Sequence, residues 1–231
     1  MTQQNRKDRG RMNGYQFEDT QGTFHLEKAE NISYLYFPIA GEAGLKSSFT
    51  PNLGGDAKID QNTFLLEPVS AENLVNNRNS RNFWCHVKGI GSWSVTGNSA
   101  EEISKKFTEL QDDSEVTAGF MWQKTTRSSK KYQLKGEVVS FIPVDKNVEI
   151  LMVTITNTGR MAQTVTPTAA IPLYGRSADN IRDHRHVTSL LHRIETTDTG
   201  VLVTPTLSFD ERGHQINHEI YYCVGWTEAG E

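Results

Sequence analysis

Eight segments rich in β-branched and aromatic residues, each bounded by Gly, Pro, Asn or Asp, constrain this chain more than any other feature. They cover residues 63–67, 81–88, 116–124, 131–141, 148–156, 163–173, 200–209 and 218–226. Branched and planar side chains pack well on a pleated surface, so such runs predict strands. Turns are marked at Gly54-Gly55, Gly97-Asn98, Asn157-Thr158-Gly159, Asp198-Thr199-Gly200 and Arg212-Gly213. Within 131–141, Tyr132, Leu134, Gly136, Val138 and Ser140 alternate with Lys131, Gln133, Lys135, Glu137 and Val139. That two-residue period puts one face in a core and the other in water.

A single stretch has the period of a helix. Ser99 and Glu102 form a capping box, and Ile103, Phe107 and Leu110 recur at four and three residues. The spacing predicts a helix over 99–111 with one apolar face, ended by Asp112-Asp113-Ser114. Many strands, short links and one short helix predict an all-β fold, a large antiparallel β-sandwich, not alternating βαβ units. We read residues 13–231 as one sandwich domain and the basic segment 1–12 as disordered. A chain of 231 residues can bury a sizeable core.

Charge and hydropathy exclude several partners. With 24 Lys+Arg against 28 Asp+Glu and no long basic run, the chain lacks the phosphate-neutralising surface that a nucleic-acid partner requires. The longest apolar run, Ile220 to Val224, is far short of the ~20 residues of a membrane helix. The basic first residues do not lead into an apolar signal core, so the expected location is cytoplasmic. Cys85 and Cys223 read as two buried thiols, not as a disulfide or a metal knuckle.

The densest polar segment is Tyr174-Gly175-Arg176-Ser177-Ala178-Asp179-Asn180-Ile181-Arg182-Asp183-His184-Arg185-His186. It is longer and more polar than a connector between packed strands requires. Forked guanidinium donors suit carboxylate, phosphate or vicinal sugar hydroxyls, and Asp and Asn accept from hydroxyls. The same charges could instead neutralise one another and order the loop, and from the residues alone both readings stand. His184 and His186 would share a face in an extended segment, but with no third ligand nearby no metal site is expected. His25, His86, His192, His214 and His218 are scattered singly and receive no role.

No catalytic constellation is apparent. Glu101-Glu102 and Asp112-Asp113 are neighbours whose side chains diverge, and they read as capping and solvating the helix. No Gly-x-Ser-x-Gly elbow is present. The glycine-rich stretch Gly41 to Gly55 is not followed by a helix signal, so it is a weak phosphate loop. The aromatics Phe83, Trp84, Trp93, Phe120 and Trp122 fall in strands and should be mostly core, with one or two free to stack on a sugar ring.

A family resemblance is carried by Arg81-Asn82-Phe83-Trp84, Gly91-Ser92-Trp93-Ser94-Val95-Thr96-Gly97, Gly119-Phe120-Met121-Trp122 and the stretches from Val148 to Gly159 and Pro167 to Leu190. From about Tyr15 onward the chain resembles the N-terminal supersandwich of the glycoside phosphorylases of glycoside hydrolase family 94. That family includes cellobiose, cellodextrin and 1,2-β-oligoglucan phosphorylases. Through Arg182-Asp183-His184-Arg185-His186 the chain looks most like the last of these. The resemblance implies inverting phosphorolysis of a β-linked gluco-oligosaccharide to α-glucose 1-phosphate. Inorganic phosphate is then the co-substrate, and no cofactor is required.

In the family, an Asp general acid and the phosphate pocket belong to an (α/α)₆ barrel C-terminal to the sandwich, and no run of amphipathic helices is seen here. The chain is therefore expected to be an N-terminal fragment, silent by itself, whose partners are the glucan, phosphate, the barrel and a second subunit. By chain order, Arg176, Asn180, Arg182, Asp183, Arg185 and His186 fall where the family's sandwich lends a loop to the rim of the active site. They are the expected substrate-binding and loop-ordering residues. Two other readings remain: a self-standing carbohydrate-binding sandwich, and a structural or dimerisation module.

Overall fold

Strands dominate the described residues of the computed structural model, which are 15–32, 35–70, 79–181, 190–210 and 213–229. The first are short: β1 (Tyr15–Phe17), β2 (Phe24–Glu27), β3 (Phe37–Ala40), β4 (Lys46–Phe49), β5 (Ala57–Lys58) and β6 (Phe64–Leu66). A hairpin of β7 (Asn82–Val87) and β8 (Gly91–Ser94) leads to helix α1 (Ala100–Ser104). The long strands follow: β9 (Asp113–Gly119), β10 (Trp122–Ser129), β11 (Leu134–Phe141), β12 (Ile150–Asn157) and β13 (Val165–Ala170). The last part holds β14 (His192–Thr197), β15 (Gly200–Pro205), β16 (Leu207–Asp210), β17 (Gly213–Ile216) and β18 (Tyr221–Val224).

The sheets run β1-β2-β9-β10-β11-β12, β3-β4-β5-β6, β13-β7-β8, β14-β15-β18 and β16-β17, every pairing antiparallel. Two of them cover the inner face of the six-stranded sheet. Ile39 and Phe49, Cys85, Val87 and Trp93, and Leu134 and Val138 meet in one buried cluster. Leu151, Val153 and Ile155 of β12 close it. A second cluster joins Phe24, Leu26, Val116 and Ala118, and Phe37 packs against both. The expected all-β sandwich is therefore what forms. Leu134, Gly136, Val138 and Ser140 are the buried face of β11, as their alternation predicts, whereas Tyr132, also buried, lies in the turn before it, where Gln133 takes a φ of 52°.

The expected strand 200–209 divides at Thr206 into β15 and β16, which lie in different sheets, and two further expectations fail for local reasons. Residues 116–124 are not one strand: the chain reverses at Phe120-Met121, where Met121 takes a left-handed φ of 60° that joins β9 to β10. The helix stops at Ser104, well short of Gln111. Its start is as predicted, with the Ser99 hydroxyl accepting from the Glu102 N–H at 3.1 Å. However, Ile103, Phe107 and Leu110 all face solvent, so no packing sustains further turns. Phe107 instead turns left-handed, at φ 65°.

Between the two apolar clusters β10 buries polar side chains. Gln123, Thr125, Arg127 and Ser129 point inward, opposite Ser140, Val138, Gly136 and Leu134 of β11. The Arg127 guanidinium lies in the hollow over Gly97, where a Cβ would meet its Cζ at 2.5 Å. At φ 78° the Gly97 backbone also suits glycine.

Candidate functional site

Three polar clusters could carry chemistry, and hydrogen-bond capacity separates them. The first surrounds Arg81, which is 1% exposed. Its Nε and Nη2 donate to the Glu149 carboxylate at 2.7 and 2.8 Å. Its other donors go to the carbonyls of Ser48, Gly55 and Asp56 at 3.1, 2.8 and 3.2 Å. The group also lies 4.2 Å from the centre of the Phe49 ring. Five guanidinium donors meet five acceptors, so nothing is left for a ligand. This is a structural clamp.

The second cluster lies under α1. Glu102 and Asp112 do not solvate the helix as their positions suggest: both are buried. The Glu102 carboxylate accepts from Lys105 Nζ at 2.9 Å and from the Asp112 N–H at 3.0 Å, with Arg127 Nη1 at 3.9 Å. Asp112 accepts from the Trp93 indole N–H at 2.7 Å. Burial holds the Asp112 carboxyl above its ordinary range, against the pull of Trp93 and Ser129. Arg127 is lowered by burial, opposed by the charges of Asp112, Glu102 and Glu30. Glu101 and Asp113 are the surface members of the adjacent pairs, Glu101 bonding Lys105 and Lys131. Among the described residues no group of three or more His, Cys, Asp or Glu could hold a metal.

The third cluster holds the polar segment singled out in the sequence. Its first part is stitched to the edge of β6 by backbone bonds: Tyr174 N–H to Leu65 O at 2.7 Å, Gly175 N–H to Phe64 O at 3.0 Å and Phe64 N–H to Arg176 O at 3.0 Å. Ala178 N–H continues the ladder to Gln61 O at 3.0 Å, and a 3₁₀ turn follows over Ala178–Ile181. Arg176 stacks its guanidinium 4.3 Å from the Tyr174 ring centre, and its Nε donates to Tyr174 O at 3.2 Å. Gly175, at φ 61°, lies against Tyr221 and Pro205, which a Cβ would touch at 3.3 and 3.4 Å. Residues 182–189, with Arg182, Asp183, Arg185 and His186, lie outside the described residues, as does the Asn180 side chain.

His192 enters this site although nothing in the sequence singled it out. It begins β14 opposite Pro205, and its imidazole is half-buried beside Gly175 and Arg176. Burial lowers its pKa, the Arg176 charge lowers it further, and the Gly175 backbone opposes both. Its Nε2 is buried and has no hydrogen-bond partner. The Tyr221 hydroxyl is also buried without a bond of ordinary geometry. Burial pushes the Tyr221 pKa up to about 12, tempered by the nearby Asn217 amide and reinforced by Glu219 and Asp60. Proximity in the chain could not have found these two residues, because the sheet β14-β15-β18 brings them to Arg176.

A family model described as the glycosyl hydrolase 94 supersandwich domain matches residues 67–226. The chain belongs to this family. A comparison with curated proteins gave no match. The matched stretch contains β7 to β18 and the three clusters apart from Glu30, the Ser48, Phe49, Gly55 and Asp56 partners of Arg81, and the Gln61, Phe64 and Leu65 partners of the polar segment. Its aromatic residues divide sharply. Trp93 is core, Phe83 and Trp84 are half-buried, and Phe120 is 84% exposed at the β9–β10 turn. On the outer face of the six-stranded sheet, Trp122 stands opposite Phe141, and Phe141 opposite Ile150. Both thiols are free, and burial pushes that of Cys85 up to about 11. Among the described residues no helix is long and apolar enough to cross a membrane.

Proposed function

We propose that this supersandwich is the carbohydrate-side domain of an inverting β-glucan phosphorylase, most like the 1,2-β-oligoglucan phosphorylases. The parent enzyme moves a glucosyl unit between a β-linked gluco-oligosaccharide and inorganic phosphate, giving α-glucose 1-phosphate in the cytoplasm without a cofactor. The family match over residues 67–226 carries this reading. Phosphate is already an anionic nucleophile, so one general acid suffices and no second carboxylate need activate water. We assign that acid and the phosphate pocket to an (α/α)₆ barrel and give this chain no catalytic residue. The engagement of Glu149 with Arg81, and of Glu102 and Asp112 with Lys105 and Trp93, supports that assignment.

The chain's own contribution is the polar segment. Anchoring of Tyr174 to Ala178 on β6 gives the residues that follow a fixed starting point. From there Asn180, Arg182, Asp183, Arg185 and His186 would meet sugar hydroxyls at the acceptor end, with Arg176 ordering the segment. In the full-length enzyme, Arg182→Ala and Arg185→Ala should each lower kcat/KM for the glucan by ~10- to 100-fold, the loss of one charge-assisted hydrogen bond. Unchanged kinetics in both variants would leave the segment a purely structural role.

The row Trp122, Phe141 and Ile150 on an outer sheet face favours a second reading, a self-standing carbohydrate-binding sandwich. Calorimetric titration of this chain with β-1,2- and β-1,4-linked gluco-oligosaccharides separates the two. Tight binding that is lost in Trp122→Ala selects the second; no binding agrees with the first.

A further inference from the structure

The segment Tyr174 to Ala178 lies between the β6 edge and the C-terminal sheet β14-β15-β18. One side of it is hydrogen-bonded to the β6 edge through Leu65, Phe64 and Gln61. The other side rests on β14-β15-β18, where Gly175 meets Pro205 and Tyr221 and His192 sits beside Gly175 and Arg176. The contact is close at Gly175, since even a methyl group there would press on the Tyr221 ring. It is also incompletely satisfied. His192 Nε2 is buried without a hydrogen bond, the buried Tyr221 hydroxyl has only the Asn217 amide nearby and no bond of ordinary geometry, and a buried polar atom left unpaired costs about 1–3 kcal/mol. A junction built in this way is less fully bonded than the saturated Arg81 clamp.

We propose that the junction of Gly175, His192 and Tyr221 is an acid-sensitive latch, which holds the Tyr174–Ala178 segment between β6 and the C-terminal sheet at neutral pH and releases it on acidification. The charged and titratable groups around the imidazole set the direction. Arg176 faces it from the segment, and Tyr221, with Glu219 beside it, belongs to the β18 side. Asp60, ahead of β6, acts on Tyr221 and not on the imidazole. Among the described residues the charge that acts on His192 is the cation of Arg176, and a second cation in the same buried space is opposed first by burial and then by repulsion.

His192 has a lowered pKa with the latch closed and recovers its ordinary value when the latch opens into water. Closure is therefore fully favoured above the ordinary histidine range and is lost as pH falls toward the lowered value. Between the two values one proton is taken up on opening, so the opening equilibrium rises about tenfold per pH unit. The latch is independent of the sugar reading, because it concerns how the segment is held and not what it binds.

Amide hydrogen exchange on the intact chain, corrected for the intrinsic pH dependence of exchange, tests this at two reporters, Tyr174 N–H and Gly175 N–H. Protection of both should fall by about tenfold per pH unit over that window, while amides of β10 and β11 keep theirs. His192→Gln keeps the size and polarity of the side chain and cannot titrate. It should leave the two reporters with a protection that does not change with pH. NMR titration of the His192 ring should give a pKa below the ordinary histidine range. The latch is refuted if the reporters stay protected while His192 protonates, if His192→Gln loses protection on acidification as the wild type does, or if His192 titrates normally.

Discussion

The body of the sandwich and its C-terminal sheet spend their side chains in opposite ways. In the body, most buried charge is answered: Arg81 has five acceptors and the crowded carboxylates under α1 have donors, although Arg127 Nε is buried without a hydrogen bond. The C-terminal sheet β14-β15-β18 adds no residue to either apolar cluster of the body, and its Ile194 is 66% exposed while His192 Nε2 is buried without a hydrogen bond. The body thus has apolar clusters of its own, whereas the C-terminal sheet meets the Tyr174 segment through Gly175, Pro205 and Tyr221, and its order is expected to depend on that junction.

Substitutions of equal size should have unequal effects in the two parts. The largest is expected at the clamp. Glu149→Leu leaves the Arg81 guanidinium buried and uncompensated, and should cost about 3–5 kcal/mol in urea unfolding. A loss below 1 kcal/mol would mean that water reaches Arg81. Next comes a pair of truncations: Leu134→Ala in the core should cost about 2–5 kcal/mol, and Ile194→Ala on the C-terminal sheet less than about 0.5. Equal costs would abolish the contrast between the two parts.

The smallest effect is a pH slope. The Asp112 carboxyl is held above its ordinary range, so its ionised form is disfavoured in the folded protein relative to the unfolded chain. Its stabilising contribution is complete below the ordinary carboxylate pKa and is lost as pH rises through the raised value. Asp112→Asn keeps an acceptor for Trp93 and removes the titration. The stability of this variant relative to wild type should grow as pH climbs through that window, then level off. A difference that is flat with pH would show that Asp112 ionises as freely as in the unfolded chain.

How much of this was legible in the sequence follows the same division. β11 could be read because its inward residues are Leu134, Val138 and their neighbours and its outward ones include Lys135 and Glu137. β10 could not, since Gln123, Thr125, Arg127 and Ser129 are as polar as the residues between them, and their burial is set by partners on other strands. β14 was missed because its sequence, His192-Arg193-Ile194-Glu195-Thr196-Thr197, places Ile194 on a face that no core covers. The helix start was visible in Ser99 and Glu102, but its early end reflects an apolar stripe with nothing to pack against. At the candidate site, the polarity of the Arg176 segment was plain. Its attachment was not, because the bonds to β6 are backbone bonds and carry no side-chain signature.

Native-state hydrogen exchange across the whole chain addresses the division itself. Amides of β7, β10 and β11 should exchange only through global unfolding, and those of β14, β15 and β18 through a local opening of distinctly lower free energy. If both groups exchange at one common free energy, the C-terminal sheet is an integral part of a single cooperative core and the contrast drawn here is wrong.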